Sequence, residues 1–256
     1  MVASQALIKP VSAIGGFFAL SLDTLVQLFS SRFALREFIE QSWFVARVSL
    51  APAIMLAIPY NVFVQFVLDV VLFELGAADL SGAGAALAVV TQTGPATTVL
   101  TVAGAAATAM CADLGARTIR EEIDAMRVMG INPTQRLVVP RVLAITVNAI
   151  LLNGVVALTG LVGAYVFAVY FTHVTPGAFA NSLTLLIGLR HTVVAFVKAA
   201  LFGILGGLIA CYKGLTVGGG PQGVGNAVNE TVAFTVVGLL ALNAVVTAVA
   251  APLTTS

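Results

Sequence analysis

Asp113 to Arg136 reads DLGARTIREEIDAMRVMGINPTQR, and its charges decide where the rest of the chain must lie. They are Asp113, Arg117, Arg120, Glu121, Glu122, Asp124, Arg127 and Arg136, in a chain that is 59% hydrophobic and 9% charged. An ionised side chain at the centre of a membrane helix costs about 2.5–3.5 kcal/mol on the insertion scale. The full set would cost on the order of 20 kcal/mol, so this segment lies in water or at the membrane surface, between two spans.

On a helical wheel the segment is two-faced. Ile119, Ile123, Met126 and Met129 fall on one side; Arg117, Arg120, Glu121, Asp124 and Arg127 fall on the other, with Glu122 at the edge of the apolar arc. Arg120 can pair with Asp124 and Asp124 with Arg127 at helical spacings. Gly130 followed by Pro133 supplies the stop. Spacing leaves two readings open: a solvated connector lying on the membrane, or a docking helix for a soluble partner.

Working outward, the mean hydropathy of +1.05 is far above that of soluble domains. A formal net charge of +1 gives no electrostatic case for nucleic acid. Cys111 and Cys211 sit near ends of apolar runs and read as small buried hydrophobes. His173 and His191 match no metal-ligand spacing, so no metal is expected. Towards the N-terminus, Ile14, Phe17, Phe18, Leu22, Leu25 and Leu28 have helical spacing broken by Asp23 and Gln27. That suits a helix in the interface plane and not a cleavable signal. Ser30 to Arg47 mixes charges with Phe33, Phe38, Trp43 and Phe44, a second interfacial piece. The expected division is interfacial helices over 1–47, span 1 at 48–68 with kinks at Pro52 and Pro59, and an acidic loop through Asp69, Glu74 and Asp79.

Span 2 (84–112) is built of Gly, Ala and Thr, which lets helix backbones approach and threonines bond across helices. Tight packing is one reading of it. Lining a transport path through Thr91, Thr97, Thr98, Thr101 and Gly104 is the other. A cytoplasmic helix over 113–136 follows, then span 3 (137–171), a loop with the Pro176-Gly177 turn signal, span 4 (193–212) and span 5 (231–253). Between the last two, Gly218-Gly219-Gly220-Pro221-Gln222-Gly223 lacks the Gly-Lys-Ser/Thr ending of a phosphate loop and reads as a flexible turn. Asn229-Glu230-Thr231 is an accidental match to the glycosylation pattern, beside a span on the cytoplasmic side.

Lys9, Arg32, Arg36, Arg47, Arg117, Arg120, Arg127, Arg136, Arg141 and Lys213 fall on one side of this layout, against Arg190 and Lys198 on the other. The positive-inside rule therefore puts the N-terminus and the charged segment in the cytoplasm and the C-terminus outside. With no nucleotide motif of its own, the chain is expected to be no enzyme. Three classes stay open: a permease driven by a separate ATPase, a gradient-driven carrier, or a membrane scaffold. A carrier would favour ionisable groups deep in the spans. Lys198 alone comes near that, close enough to a helix end to snorkel.

The run Ala112-Asp113-Leu114-Gly115-Ala116-Arg117-Thr118-Ile119-Arg120-Glu121-Glu122-Ile123-Asp124-Ala125-Met126, with Met129-Gly130-Ile131-Asn132-Pro133 after it, closely resembles the YrbE/MlaE permease family. Gly214-Leu215-Thr216-Val217 and Gly223 to Val232 also look like that family, in particular its actinobacterial A-type subunits. The resemblance implies an all-α polytopic permease in a bacterial plasma membrane, paired with a second YrbE subunit. It further implies a cytoplasmic ABC ATPase that holds the ATP and Mg, so that this chain binds no cofactor. A hexamer of MCE proteins outside would pass hydrophobic lipid: a fatty acid, a mycolic acid or a sterol. The look of the loop after Lys213 inclines the expectation to a sterol. Carried over by position, Glu121, Glu122 and Asp124 belong to the ATPase-coupling helix. The wheel adds Arg117, Arg120 and Arg127 to the coupling face and Ile119, Ile123 and Met126 as its anchors.

Overall fold

The computed structural model describes residues 2–28 and 34–254, with side chains for 12–28 and 34–252. Arg32 and Phe33 of the expected second interfacial piece lie outside the described residues, as does the side chain of Lys9. The described residues form helices and no strand. Five of the helical runs are long and apolar enough to cross a membrane, which makes this an all-α, multi-pass membrane protein.

The first helix, α1 (Val2–Leu28), leaves Ile14, Phe18, Leu22 and Leu25 exposed. It is held to the bundle where Phe17 meets Tyr212 edge to face at 5.9 Å. No interfacial break precedes the first span: α2 is one 40-residue helix, Leu35–Glu74, that runs on through Pro52 and Pro59. At 1.5 Å per residue it is roughly 60 Å long, about twice a bilayer's hydrocarbon core, so one helix is both interfacial piece and span. Its buried residues are Gln41, Val45, Ser49, Ala53, Ala57, Asn61, Gln65 and Asp69, each four after the last. A four-residue step advances the contact by about 40° on a 3.6-residue helix, so this seam winds around α2. Near the middle, Ala53 and Ala57 pack on Leu152 and Val156.

The acidic loop is shorter than expected, because Asp69 belongs to α2 and is buried. Its carboxylate accepts hydrogen bonds from Gln65, Ser81 and Thr172, which satisfies a charge that hydrocarbon could not.

Span 2 is a continuous helical run from Ala78 to Ile119. It comprises a 3₁₀ turn, α3 (Ser81–Ala88), a π segment Val89–Thr93, α4 (Gly94–Thr101), a second π segment Val102–Ala107 and α5 (Thr108–Ile119). It touches all four other spans. Over its most apolar stretch 56% is buried, against 22% for α2 and 11% for the last span, so the small-residue helix is the centre of the bundle. The hydroxyls behave differently from expectation. Thr97, Thr98, Thr101 and Thr108 donate to the carbonyls four residues back in their own helix. Between helices, Thr93 donates to Asn61 and Thr98 makes a 3.4 Å contact with Asn153.

The charged stretch is not a single helix. α5 ends at Ile119, Glu121 takes a left-handed conformation (φ 59°), and a short α6 covers Glu122–Val128. Gly130 (φ 73°) turns the chain, and Asn132 accepts the Thr134 N–H at 2.9 Å. A π segment Thr134–Val138 then leads into α7 (Val139–Tyr170). A short α8 (Pro176–Ser182), capped by Thr175, closes the opposite end. α9 (Leu189–Leu215) and α10 (Gly220–Thr254) follow, so of the expected flexible turn at 218–223 the part from Gly220 on is helix, and the turn occupies 216–219.

Candidate functional site

The charged segment is built onto the bundle from its inner side. Ile123 is buried in the main core beside Leu114, Met110 and Leu137, and Met126 packs against that cluster. Ile119 is half-buried. Met129, placed on the same apolar face by the wheel, is exposed, as are Val128 and Ile131. The reason is the break at Glu121: it re-phases α6 relative to α5, so one wheel cannot describe both.

The same break changes the ion pairs. Asp124 pairs with Arg127 at 2.8 Å, as the spacing predicts. Arg120 turns instead to Glu122, at 2.9 Å. Beyond that the charges alternate inward. Arg117 lies 4.0 Å from Glu122 and 3.4 Å from Asp113, and Arg141 reaches Asp113 at 2.7 Å and Glu37 at 3.1 Å. Six charges of alternating sign thus run from exposed Arg120 through wholly buried Arg141 to Glu37, joining α6, α5, α7 and α2. Sequence reading placed Arg141 among cytoplasmic basic residues and missed its role. Its one local signal was position, directly after Pro140 at the start of an uncharged run. The partners Asp113 and Glu37 are too far off in sequence to be read as such.

On the outer surface this leaves Arg120, Glu121, Asp124 and Arg127 exposed beside Val128, Met129 and Ile131. Glu122 and Arg117 sit behind them, partly covered. Two further bonds fix the rim. Thr118 donates to the Gly214 carbonyl at 3.0 Å, tying α5 to α9. Lys213 pairs with Glu230 at 2.6 Å across the α9–α10 turn. The result is a short, rigidly backed patch that mixes apolar and charged groups, with no constellation for covalent chemistry. Among the described residues no group of His, Cys, Asp and Glu could hold a metal, and Cys111 and Cys211 are free thiols buried in the core.

The five candidate path residues do not form a path together. Thr97, Thr98 and Thr101 are buried in the packing of span 2. Gly104 is exposed, with nothing within 4 Å of where a side chain would begin. Of the five, Thr91 lines a cleft together with Lys198. Nor does Lys198 snorkel: it is 2% exposed, and its ammonium donates to Thr247 Oγ1 at 2.7 Å and to the Thr91 carbonyl at 3.3 Å. Pro95, four residues on, has no N–H to bond this carbonyl in an α-helical turn.

Comparison with known proteins fits this layout. The chain is 28% identical over 168 residues to a probable ABC transporter permease protein of Synechocystis sp., covering 66% of this chain and 64% of the relative. It is 30% identical over 163 residues to a probable ABC transporter permease protein of Rickettsia typhi, covering 63% and 62%. A chloroplastic protein of Arabidopsis thaliana, trigalactosyldiacylglycerol 1, is 28% identical over 176 residues, 69% of this chain and 50% of that protein. The chain thus spans less than two thirds of the length of each of these relatives. The family model of the permease MlaE matches residues 38–249, from the first turn of α2 to the last turns of α10. Since that match takes in the five spans and the charged segment between them, the chain belongs to the MlaE permease family.

Proposed function

We propose that this chain is the permease subunit of an ATP-driven lipid transporter of the MCE type. In this reading the patch around α6 docks on a separate cytoplasmic ATPase, which binds the MgATP. A second YrbE subunit completes the membrane domain, and an MCE hexamer meets it on the outer side of a bacterial plasma membrane. The observation that carries the reading is the backing of the patch: charges and Ile123 join it to α2, α5 and α7, so a push on α6 is delivered to three helices at once. A solvated connector needs no such backing. Family membership and the relatives' description as ABC permeases support the ATPase. The plant relative, named for trigalactosyldiacylglycerol, supports a lipid cargo.

The test reverses the two exposed acids together, Glu121→Lys and Asp124→Lys. Lys is as strained as Glu at the left-handed position, so the backbone is not the variable. Removing a close interfacial charge partner costs about 2–5 kcal/mol, so ATPase association should weaken by roughly 30-fold or more, and lipid uptake with it. Membrane insertion should be unchanged. Normal uptake with the ATPase still bound would reduce α6 to a connector and overturn the reading.

A further inference from the structure

At the end of the bundle away from α6, nine residues into α9 and so about 14 Å from its start, Lys198 lies at a cleft of about 220 Å³. Thr91, Gln92, His191 and Thr247 line it too, among apolar neighbours, and no carboxylate does. An ammonium has three N–H donors. Two of them meet neutral oxygens, of Thr247 and of the Thr91 backbone, and no acidic side chain among the described residues pairs with this lysine. Of the other lining groups, Gln92 and His191 offer protons, since the Thr91 and Thr247 hydroxyls already donate to the Leu87 and Asn243 carbonyls. The Gly188 N–H donates to Nδ1 of His191 at 3.4 Å, so a ring proton sits on Nε2. Gln92 brings an amide.

A buried charge without a counter-charge is costly and is kept where something compensates it in use. Arg141, the other buried cation among the described residues, has two carboxylates. Lys198 has a cleft.

Building on the reading as a lipid permease, we propose that this cleft takes the acidic headgroup, carboxylate or phosphate, of the transported lipid, with Lys198 as its counter-charge. The volume suits this division, being below the ~300–1,000 Å³ of pockets that enclose a whole drug-sized ligand. A second, apolar cleft of about 290 Å³ shares Val90 and Ala195 as a common wall and is lined by Ala157, Leu158 and Phe196, a place for the first part of the chain. A neutral sterol leaves the ammonium uncompensated. The cleft therefore favours an acidic lipid over the sterol to which the loop after Lys213 inclined the sequence reading.

The experiment uses the complex purified with its ATPase, in nanodiscs of neutral phosphatidylcholine. Diazirine-bearing palmitic acid, phosphatidic acid and cholesterol are photolysed in it, and peptides of α9 and α10 are read by mass spectrometry. An acidic probe should label both helices, and whichever labels more strongly tells carboxylate from phosphate. Lys198→Met should cut that labelling on the order of tenfold or more, the worth of a hydrogen bond to a charged group. Lys198→Arg should keep it, and cholesterol labelling should respond to neither change. Should Lys198→Met fail to assemble, competition on the unchanged complex decides: excess oleate must displace the acidic label and excess cholesterol must not. Undiminished labelling of Lys198→Met, or displacement by cholesterol as effective as by oleate, overturns the headgroup assignment and leaves the permease reading standing. Labelling by none of the three probes overturns lipid transport itself, while ATPase association is scored separately.

Discussion

Arg141 does with one side chain what the chain elsewhere needs whole helices for. Its guanidinium is fully buried, yet three acceptors from two other helices and its own surround it: Glu37, Asp113 and the Leu137 carbonyl. The planar fork can serve carboxylates on different sides at once, whereas a lysine is a point charge that can favour only one. Arg141→Met would strip Glu37 and Asp113 of their shared buried cation and leave them Gln41 and Arg117. Breaking a buried pair from one side costs about 3–5 kcal/mol, and because both acids keep some access to water the low end, about 3 kcal/mol, is expected. Arg141→Lys, which keeps the charge but not the fork, should lose less. Thermal unfolding in detergent measures both. Amide exchange across 120–131 should quicken in Arg141→Met, since the chain of charges reaches α7 and α2 through this residue. Unchanged exchange would show that Ile123 alone holds α6.

Among the elements, α7 and α9 show how the bundle closes. A Cβ on Gly203 would lie 2.4 Å from the Thr146 Cα, a backbone atom that cannot swing away. Gly203→Ala must therefore push the two helices apart, and overpacking of this kind costs about 1–3 kcal/mol. Gly104→Leu meets nothing within 4 Å, so it should leave the unfolding temperature unchanged. If it still lowers copurification with a second permease subunit, that exposed face is where the subunits meet; if it does not, the face packs on lipid. This contrast also marks the limit of reading the sequence. A run of small residues announces close helix packing, and span 2 is indeed central. It does not announce which glycine is the contact, because the face a residue presents depends on the helix phase. Two π segments shift that phase within span 2, and Glu121 shifts it again before α6. The spans were legible because apolar length is a local property. The ion pairs of Arg141 and the isolation of Lys198 were not, because both depend on distant helices coming together.

At the scale of the whole molecule, the bundle is polarised in charge along its length. Arg117, Arg120, Arg127, Arg136, Arg141 and Lys213 cluster on the side of α6 and the α9–α10 turn, while Arg190 starts α9 beside α8 at the other end. Lys198 is buried and has no part in the balance at the membrane surface. The positive-inside rule predicts the α6 side in the cytoplasm, within reach of the proposed ATPase, and the Lys198 end outside. Two exposed glycines with open space around them test this without disturbing the fold: Gly219 in the α9–α10 turn and Gly177 at the start of α8. The native thiols need no removal, since both are buried in the core. In intact cells an impermeant maleimide should label Gly177→Cys and spare Gly219→Cys; in inside-out vesicles the pattern should reverse. Labelling of Gly219→Cys from outside would turn the molecule over. It would place α6 beyond the reach of ATP and leave the five-span permease without the energy source proposed for it.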